Sequence, residues 1–349
     1  MNNKIITYLE NEGFHASRES CRYFRSGEEF FARLMYELNR AKSYIFIEFF
    51  NIEEGRLFQD VVNLLRYKVE QGVDVRLSYD RIGSLSTLPR SSVREMTNAG
   101  IKVFPFIRAR RFSRFGETNH RKMVVIDGEV AFCGGLNLAD RYANVREFFG
   151  HWKDTGVMTT LGDDSPLSTV IPMFDSPNER VWERTFINFV TSAQKYVYIT
   201  TPYIICTSGV ISVLATAAKS GIDVRIITPF IADKRVVKLA TESYYEELLA
   251  NKIRVFEYTP GFLHAKSIVS DDCRAFVGSA NLDYRSLYRS YECGVCMFDS
   301  QAGGAVSAVK HDFVDILGLC REITSADLAQ VSKFKRGVKR TARIFGRLF

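Results

Sequence analysis

The sequence has no apolar run near the ~18 residues that a membrane-spanning helix needs. Its most apolar stretch, Tyr44 to Phe50, is short and broken by Glu48. Met1 to Glu12 is polar and lacks the apolar core of a secretory signal, so a cytoplasmic protein is expected. Paired cysteines are missing as well. There are seven, scattered along the chain, and an odd scattered set excludes a disulfide framework. Cys293 and Cys296 form a lone C-x-x-C in a strand-like segment, where positions three apart face opposite sides. Neither a metal site nor a cofactor is expected.

Excess charge is absent from the body of the chain. Of 47 Lys and Arg, seven fall in Lys333–Phe349, leaving 40 against 40 acidic residues elsewhere. Proteins that grip nucleic acid usually spread basic charge over the body, so a nucleic-acid partner is not favoured. With 46% hydrophobic residues the composition is that of a globular protein.

What is present is a long-period repeat. Ser26-Gly27-Glu28-Glu29 reads as a capping box before a helical run, and Ser176-Pro177-Asn178-Glu179 reads as its counterpart. Each helix leads to a strand, Tyr44–Ile47 or Tyr196–Ile199. A second helix follows, about 57–70 or 210–219, ending near Gly72 or Gly221 as left-handed caps. The strands Val73–Leu77 and Ile222–Ile226 share one pattern, and Ile101–Phe104 matches Ile253–Phe256 at an offset of 152. Strands alternating with helices predict an α/β fold, a largely parallel or mixed sheet flanked by helices in each of two similar halves. The expected organisation is an N-terminal segment 1–25, a first half 26–162, a Pro- and Ser-rich linker 163–177, a second half 178–330 and a basic tail 331–349.

The chemistry follows the last matched strand. His120, Lys122, Asp127, Gly134 and Asn137 recur at identical spacing as His264, Lys266, Asp271, Gly278 and Asn281, using two of only five histidines. On an extended segment positions i and i+2 share a face, so a His and a Lys two apart can meet one phosphate. Imidazole serves near pH 7 as nucleophile or acid. Lysine ammoniums, the amides of Asn137 and Asn281, and the Ser279 hydroxyl can hold phosphate oxygens. Asp127 and Asp271 complete the motif and join the candidate catalytic set. Alternation nevertheless points each away from its lysine, which predicts ion pairs or turn bonds rather than direct chemistry. Asp154 and Glu292 each lie two residues before a Gly-Val pair and could fix the imidazole tautomers, as a triad acid does.

With these motifs the sequence resembles the phospholipase D superfamily, and within it the bacterial cardiolipin synthases. Supporting segments include His151–Thr155, Thr200–Tyr203, Gly261–Lys266 and Asn281–Ser286. The resemblance implies two phospholipase D-like halves around one shared site, and metal-independent phosphatidyl transfer between two phosphatidylglycerols. His120 would form the phosphohistidine, and His264 would protonate the leaving glycerol and then deprotonate the acceptor. A hydrolase of the same superfamily, acting on lipid or nucleic acid, is the alternative. The expected partners are phosphatidylglycerol and the inner face of the cell membrane, met peripherally. Two features suit that contact. An insertion before His120 carries Arg108, Arg110, Arg111 and Arg114 among phenylalanines, a pattern that would equally serve single-stranded nucleic acid or a solvated loop. The tail sets Phe334, Val338, Ala342, Phe345 and Phe349 near one helical face beside Lys335, Arg336, Lys339 and Arg340.

Overall fold

The structure, a computed structural model, describes residues 4–107, 117–162, 165–299 and 303–346. Each half places three parallel strands on its outer side: Tyr44–Phe49, Asp74–Asp80 and Lys102–Phe106 in the first, Tyr196–Thr200, Asp223–Pro229 and Arg254–Tyr258 in the second, where the antiparallel strand Cys320–Glu322 forms the edge. Antiparallel strands continue inward, Lys122–Ile126 and Val130–Gly134 in the first half and Ser267–Ser270 and Arg274–Gly278 in the second. The crossover helices form where the apolar spacing puts them, Arg56–Glu70 and Ser208–Lys219. Gly72 and Gly221 then take φ of +86° and +96°, the left-handed region that glycine enters without a Cβ clash.

The two halves do not carry separate sheets. Among the described residues one sheet of sixteen strands runs through both. The expected linker supplies its middle: Leu167–Asp175 is a strand between Ser17–Phe24 and Ser290–Phe298. The N-terminal segment is likewise built in. Ser17–Phe24 pairs with Gly156–Thr160 of the first half on its other side, while Ile5 and Leu9 of the helix Lys4–Asn11 sit in the core of the second. Helix Ala305–Leu317 covers the seam, burying Val306 and Val309 with Cys133, Val157 and Cys293. Long-range pairing overrides the loop-like composition here. Ser176–Glu179 also departs from expectation, because it forms a turn. The carboxylate of Asp175 caps the following helix by accepting from Val181 and Trp182 N–H at 2.9 and 2.8 Å.

Asp127 and Asp271 are not at the chemical end of their strands, a correction to their place in the catalytic set. Each takes positive φ, 55°, in the turn after its strand. Asp127 accepts the backbone N–H of Lys42, Ser43 and Tyr44 at 2.7–2.8 Å, and Asp271 those of Gln194, Lys195 and Tyr196 at 2.9–3.1 Å. They clamp the start of the neighbouring parallel strand.

The basic tail forms a helix, Lys333–Gly346, packed on the helix Arg235–Glu242. Ala342 is buried with Val237 and Ala240. Lys339, expected at a membrane, is buried and bridges to Glu242 at 2.8 Å. Arg336 donates to the Leu328 carbonyl at 2.8 Å, and Arg343 meets Glu247 at 2.7 Å across the Tyr244 ring. Lys335 and Arg340 face outward. Arg108, Arg110, Arg111 and Arg114 lie outside the described residues.

Asp127→Ala or Asp271→Ala should lower unfolding free energy by about 1–3 kcal/mol, since each strands backbone donors. Denaturant unfolding measures this, and unchanged midpoints in both variants would contradict the clamp.

Candidate active site

The two histidines stand on short segments at which the halves exchange backbone hydrogen bonds. Thr118 N–H donates to Arg289 O at 3.1 Å and His120 N–H to Tyr291 O at 2.9 Å. In the other half His264 N–H donates to Lys153 O at 2.7 Å, and Lys153 N–H to Phe262 O at 2.9 Å. Each histidine is thereby threaded onto a strand end of the opposite half.

Their carboxylate partners follow from that exchange. His120 Nδ1 lies 3.0 and 3.1 Å from the two oxygens of Glu292, and His264 Nδ1 lies 2.6 Å from Asp154 Oδ2. Glu292 and Asp154 are essentially fully buried. An ionised carboxylate only accepts, so Nδ1 carries the hydrogen and Nε2 keeps its lone pair. The halves are not identical beneath this symmetry. Asp154 is the shorter acid and lies so close over Gly135 that a Cβ there would meet Oδ1 at 2.1 Å. The longer Glu292 passes Ser279, whose hydroxyl donates to Oε2 at 2.5 Å. Ser279, expected on phosphate, therefore serves the carboxylate, and the Gly-Gly against Gly-Ser difference has a physical reason.

Burial sets the proton affinities. It lowers His120 to about 4, with Glu292 partly opposing, and pushes His264 well below its ordinary value, Lys266 and Lys122 adding to the effect. Burial likewise pushes Lys122 down to about 8 and Lys266 to about 7. It raises Asp154 to about 6. For Glu292 burial is outweighed by His120, Lys122 and Ser279, which hold it below the usual carboxylate range. The lysines lie beneath the imidazoles. Lys122 Nζ donates to His120 O at 2.5 Å, and Lys266 Nζ donates to His264 O and lies 2.6 Å from His264 Nδ1.

Both histidines open on one cavity of about 530 Å³. Asn137 and Asn281 line it too. Asn137 is satisfied internally, accepting from Asn51 N–H at 3.0 Å and donating to Tyr142 Oη at 2.7 Å. The Asn281 carbonyl oxygen is buried with no protein donor. Two further cavity residues escape the motif reading, Arg141 and Arg285. Each stands 21 residues after its histidine, a signal present in the repeat. They also cross over. Arg285 donates to Thr118 Oγ1 at 2.6 Å beside His120, whereas Arg141 stacks over Tyr142 and Trp152, which flank His264. The site gathers cations and donors around a space large enough for a phosphate and the groups attached to it.

Comparison with known proteins shows the family. The family described as cardiolipin synthase, PLD-like domain, matches residues 34–158 and 186–315. The chain belongs to that family. A cardiolipin synthase of Halalkalibacterium halodurans is 31% identical, with 92% of this chain and 71% of that protein covered. Cardiolipin synthase 2 of Bacillus cereus is 30% identical over 94% and 70%. An uncharacterized protein of Streptococcus mutans is 38% identical over 93% and 78%. The crystal structure of phosphatidylserine synthase from Haemophilus influenzae shares the fold, with a TM-score of 0.76 at 16% identity and coverage of 99% and 98%. The matched segments of the cardiolipin synthase family span both histidines and both carboxylates.

An anion entering the cavity raises the proton affinity of the depressed lysines and histidines. A group whose pKa rises on binding takes up protons wherever the pH lies between its free and bound values. At pH 8, above Lys266 and level with Lys122, binding of inorganic phosphate or tungstate should draw protons from solution. Calorimetry in buffers of different ionisation enthalpy measures it; no net uptake would contradict the assigned electrostatics.

Proposed function

We propose that this protein is a cardiolipin synthase-type phosphatidyltransferase, joining two phosphatidylglycerols to cardiolipin and glycerol through a phosphohistidine at His120. The observation that carries the reading is the pair of imidazoles on one cavity, each with Nδ1 held by a buried carboxylate of the other half. Family membership and cardiolipin synthase relatives supply the substrate class.

The first step has His120 Nε2 attack the donor phosphorus while His264 protonates the departing glycerol oxygen. Two features support this division of roles. Glu292 is held ionised by its hydrogen bonds, which makes His120 the more nucleophilic ring. His264 sits among Tyr142, Trp152 and Phe262, where it is charged only once an anion is present. In the second step His264, now neutral, takes the proton of the acceptor hydroxyl. Lys122, Lys266, Asn137 and Asn281 offset phosphate charge, with Arg141 and Arg285 added to that set. No group outside the chain is required.

The substrate brings the enzyme to the inner face of the cell membrane. Among the described residues no helix is long and apolar enough to cross a bilayer. Contact would instead be peripheral, through the outward face of the tail helix, where Phe334 and Ile344 are 83% and 72% exposed beside Lys335 and Arg340.

Phosphatidylglycerol vesicles should yield cardiolipin and glycerol. Phosphatidic acid alone would mean hydrolysis, and cleavage of single-stranded DNA with no lipid product would overturn the lipid reading. His264→Ala should still accumulate phosphohistidine from a donor with a good leaving group, and His120→Ala should not; the opposite pattern reverses the roles. Glu292→Gln should lower kcat roughly 10²–10⁴-fold, as misorienting a catalytic imidazole does; kinetics within a few-fold of wild type would dismiss it as a positioning group. Lys335→Glu with Arg340→Glu should weaken binding to phosphatidylglycerol vesicles at least about tenfold. Flotation measures this, and unchanged binding would remove the tail from the membrane contact.

A further inference from the structure

The cavity wall differs between the halves at one loop. After the strand Asp74–Asp80, the first half presents Ile82 and Gly83 to the cavity. The acid of that loop, Asp80, is buried and spent on the backbone N–H groups of Ile82, Gly83 and Asn119. After the equivalent strand Asp223–Pro229, the second half presents Asp233 and Lys234 to the cavity instead. Asp233 is fixed there: the Tyr203 hydroxyl donates to its Oδ2 at 2.6 Å. Tyr203 in turn packs on Phe262 at 6.4 Å, and Phe262 on His264 at 5.9 Å. The anchored carboxylate therefore belongs to the His264 side of the cavity. Burial and the neighbouring Asp233 raise the Tyr203 hydroxyl well above its ordinary value, so it remains a donor.

In the transfer step the acceptor hydroxyl must stand beside His264. Its oxygen bonds to phosphorus, the bond between phosphorus and His120 Nε2 breaks, and its proton passes to His264 Nε2. The rest of the acceptor headgroup then meets the nearest polar wall. A carboxylate offers about four lone-pair sites, of which Tyr203 uses one. It suits further hydroxyls, and the adjacent Lys234 suits a phosphodiester while repelling a cationic headgroup.

We propose that Asp233, positioned by Tyr203, and Lys234 form the subsite that selects the acceptor, a glycerol-type polyol carrying a phosphodiester. This rests on the phosphatidyl-transfer reading above. Because His264 serves both steps, the donor's departing glycerol leaves through the same subsite before the acceptor enters.

The test uses the full chain, a phosphatidyl donor with a chromogenic leaving group, and short-chain phosphatidylglycerol as acceptor in mixed micelles. Asp233→Asn and Asp233→Ala should raise the acceptor KM about tenfold, as loss of a charged hydrogen-bond acceptor does. They should also lower the ratio of transfer product to phosphatidic acid by a similar factor. Tyr203→Phe, which keeps the ring packing, should move both in the same direction by less. Lys234→Glu should raise KM for phosphatidylglycerol more than for free glycerol. Wild-type acceptor KM and product ratio in the folded Asp233 variants and in Tyr203→Phe would overturn the subsite while leaving phosphatidyl transfer intact. A wild-type enzyme that forms only phosphatidic acid at all acceptor concentrations would overturn both.

Discussion

The contact between each imidazole and a carboxylate of the opposite half governs the rest of this structure. A buried carboxylate is tolerable only when its lone pairs are met, and a buried neutral imidazole needs one nitrogen fixed for the other to be useful. Neither half can meet both needs alone. Glu292 needs His120, Lys122 and Ser279; Asp154 needs His264, Lys266 and the backbone N–H of Thr155. The continuous sheet through Ser17–Phe24 and Leu167–Asp175 holds the halves in the register at which these contacts close.

The depressed proton affinities are the second consequence. Two lysines and two histidines are buried close together, so burial and mutual repulsion favour the neutral forms. That arrangement is unfavourable for the empty protein and becomes favourable when a phosphate supplies negative charge. Binding and protonation are therefore coupled: an anion that enters draws protons onto these groups. A resting enzyme with a permanently charged His264 would have no such link.

Much of this is legible in the sequence, and what is not has a common cause. The matched spacing of His, Lys, Gly and Asn is local, and so are the crossover helices and their glycine caps. Asp154 and Glu292 stand out because each precedes a Gly-Val pair, but which acid meets which histidine depends on segments 110 and 172 residues apart. The stretch 163–177 reads as a linker because Pro166, Pro172 and Ser168 suit a loop; pairing on both sides overrides that composition. Asp127 and Asp271 follow strand alternation, which turns them from the cavity into the turns they clamp. The tail is only partly legible for a related reason. A helix rich in Lys and Arg has the same pattern whether it meets lipid or a protein surface bearing Glu242 and Glu247, and Lys339 and Arg343 meet the acids. Asp233 has no repeat counterpart, so no internal comparison could single it out.

That last point bears on how a duplicated site acquires two roles. Symmetry-related residues can only give each histidine the same environment. Each difference between the halves shifts that balance. Ser279 in place of Gly135 lets a longer acid stay ionised against His120. Tyr142 meets His264 edge-on and Trp152 lies tilted against it, whereas among the described residues Phe50 is the one ring in contact with His120. Asp233 and Lys234 replace Ile82 and Gly83 on the His264 side. On the proposed reading the three changes act in one direction: His120 is the group that attacks, and His264 has the neighbourhood of an arriving alcohol. On the proposed reading, the charged loop at Asp233 serves the headgroup that stands beside His264, a group for which the first half has no matching carboxylate free.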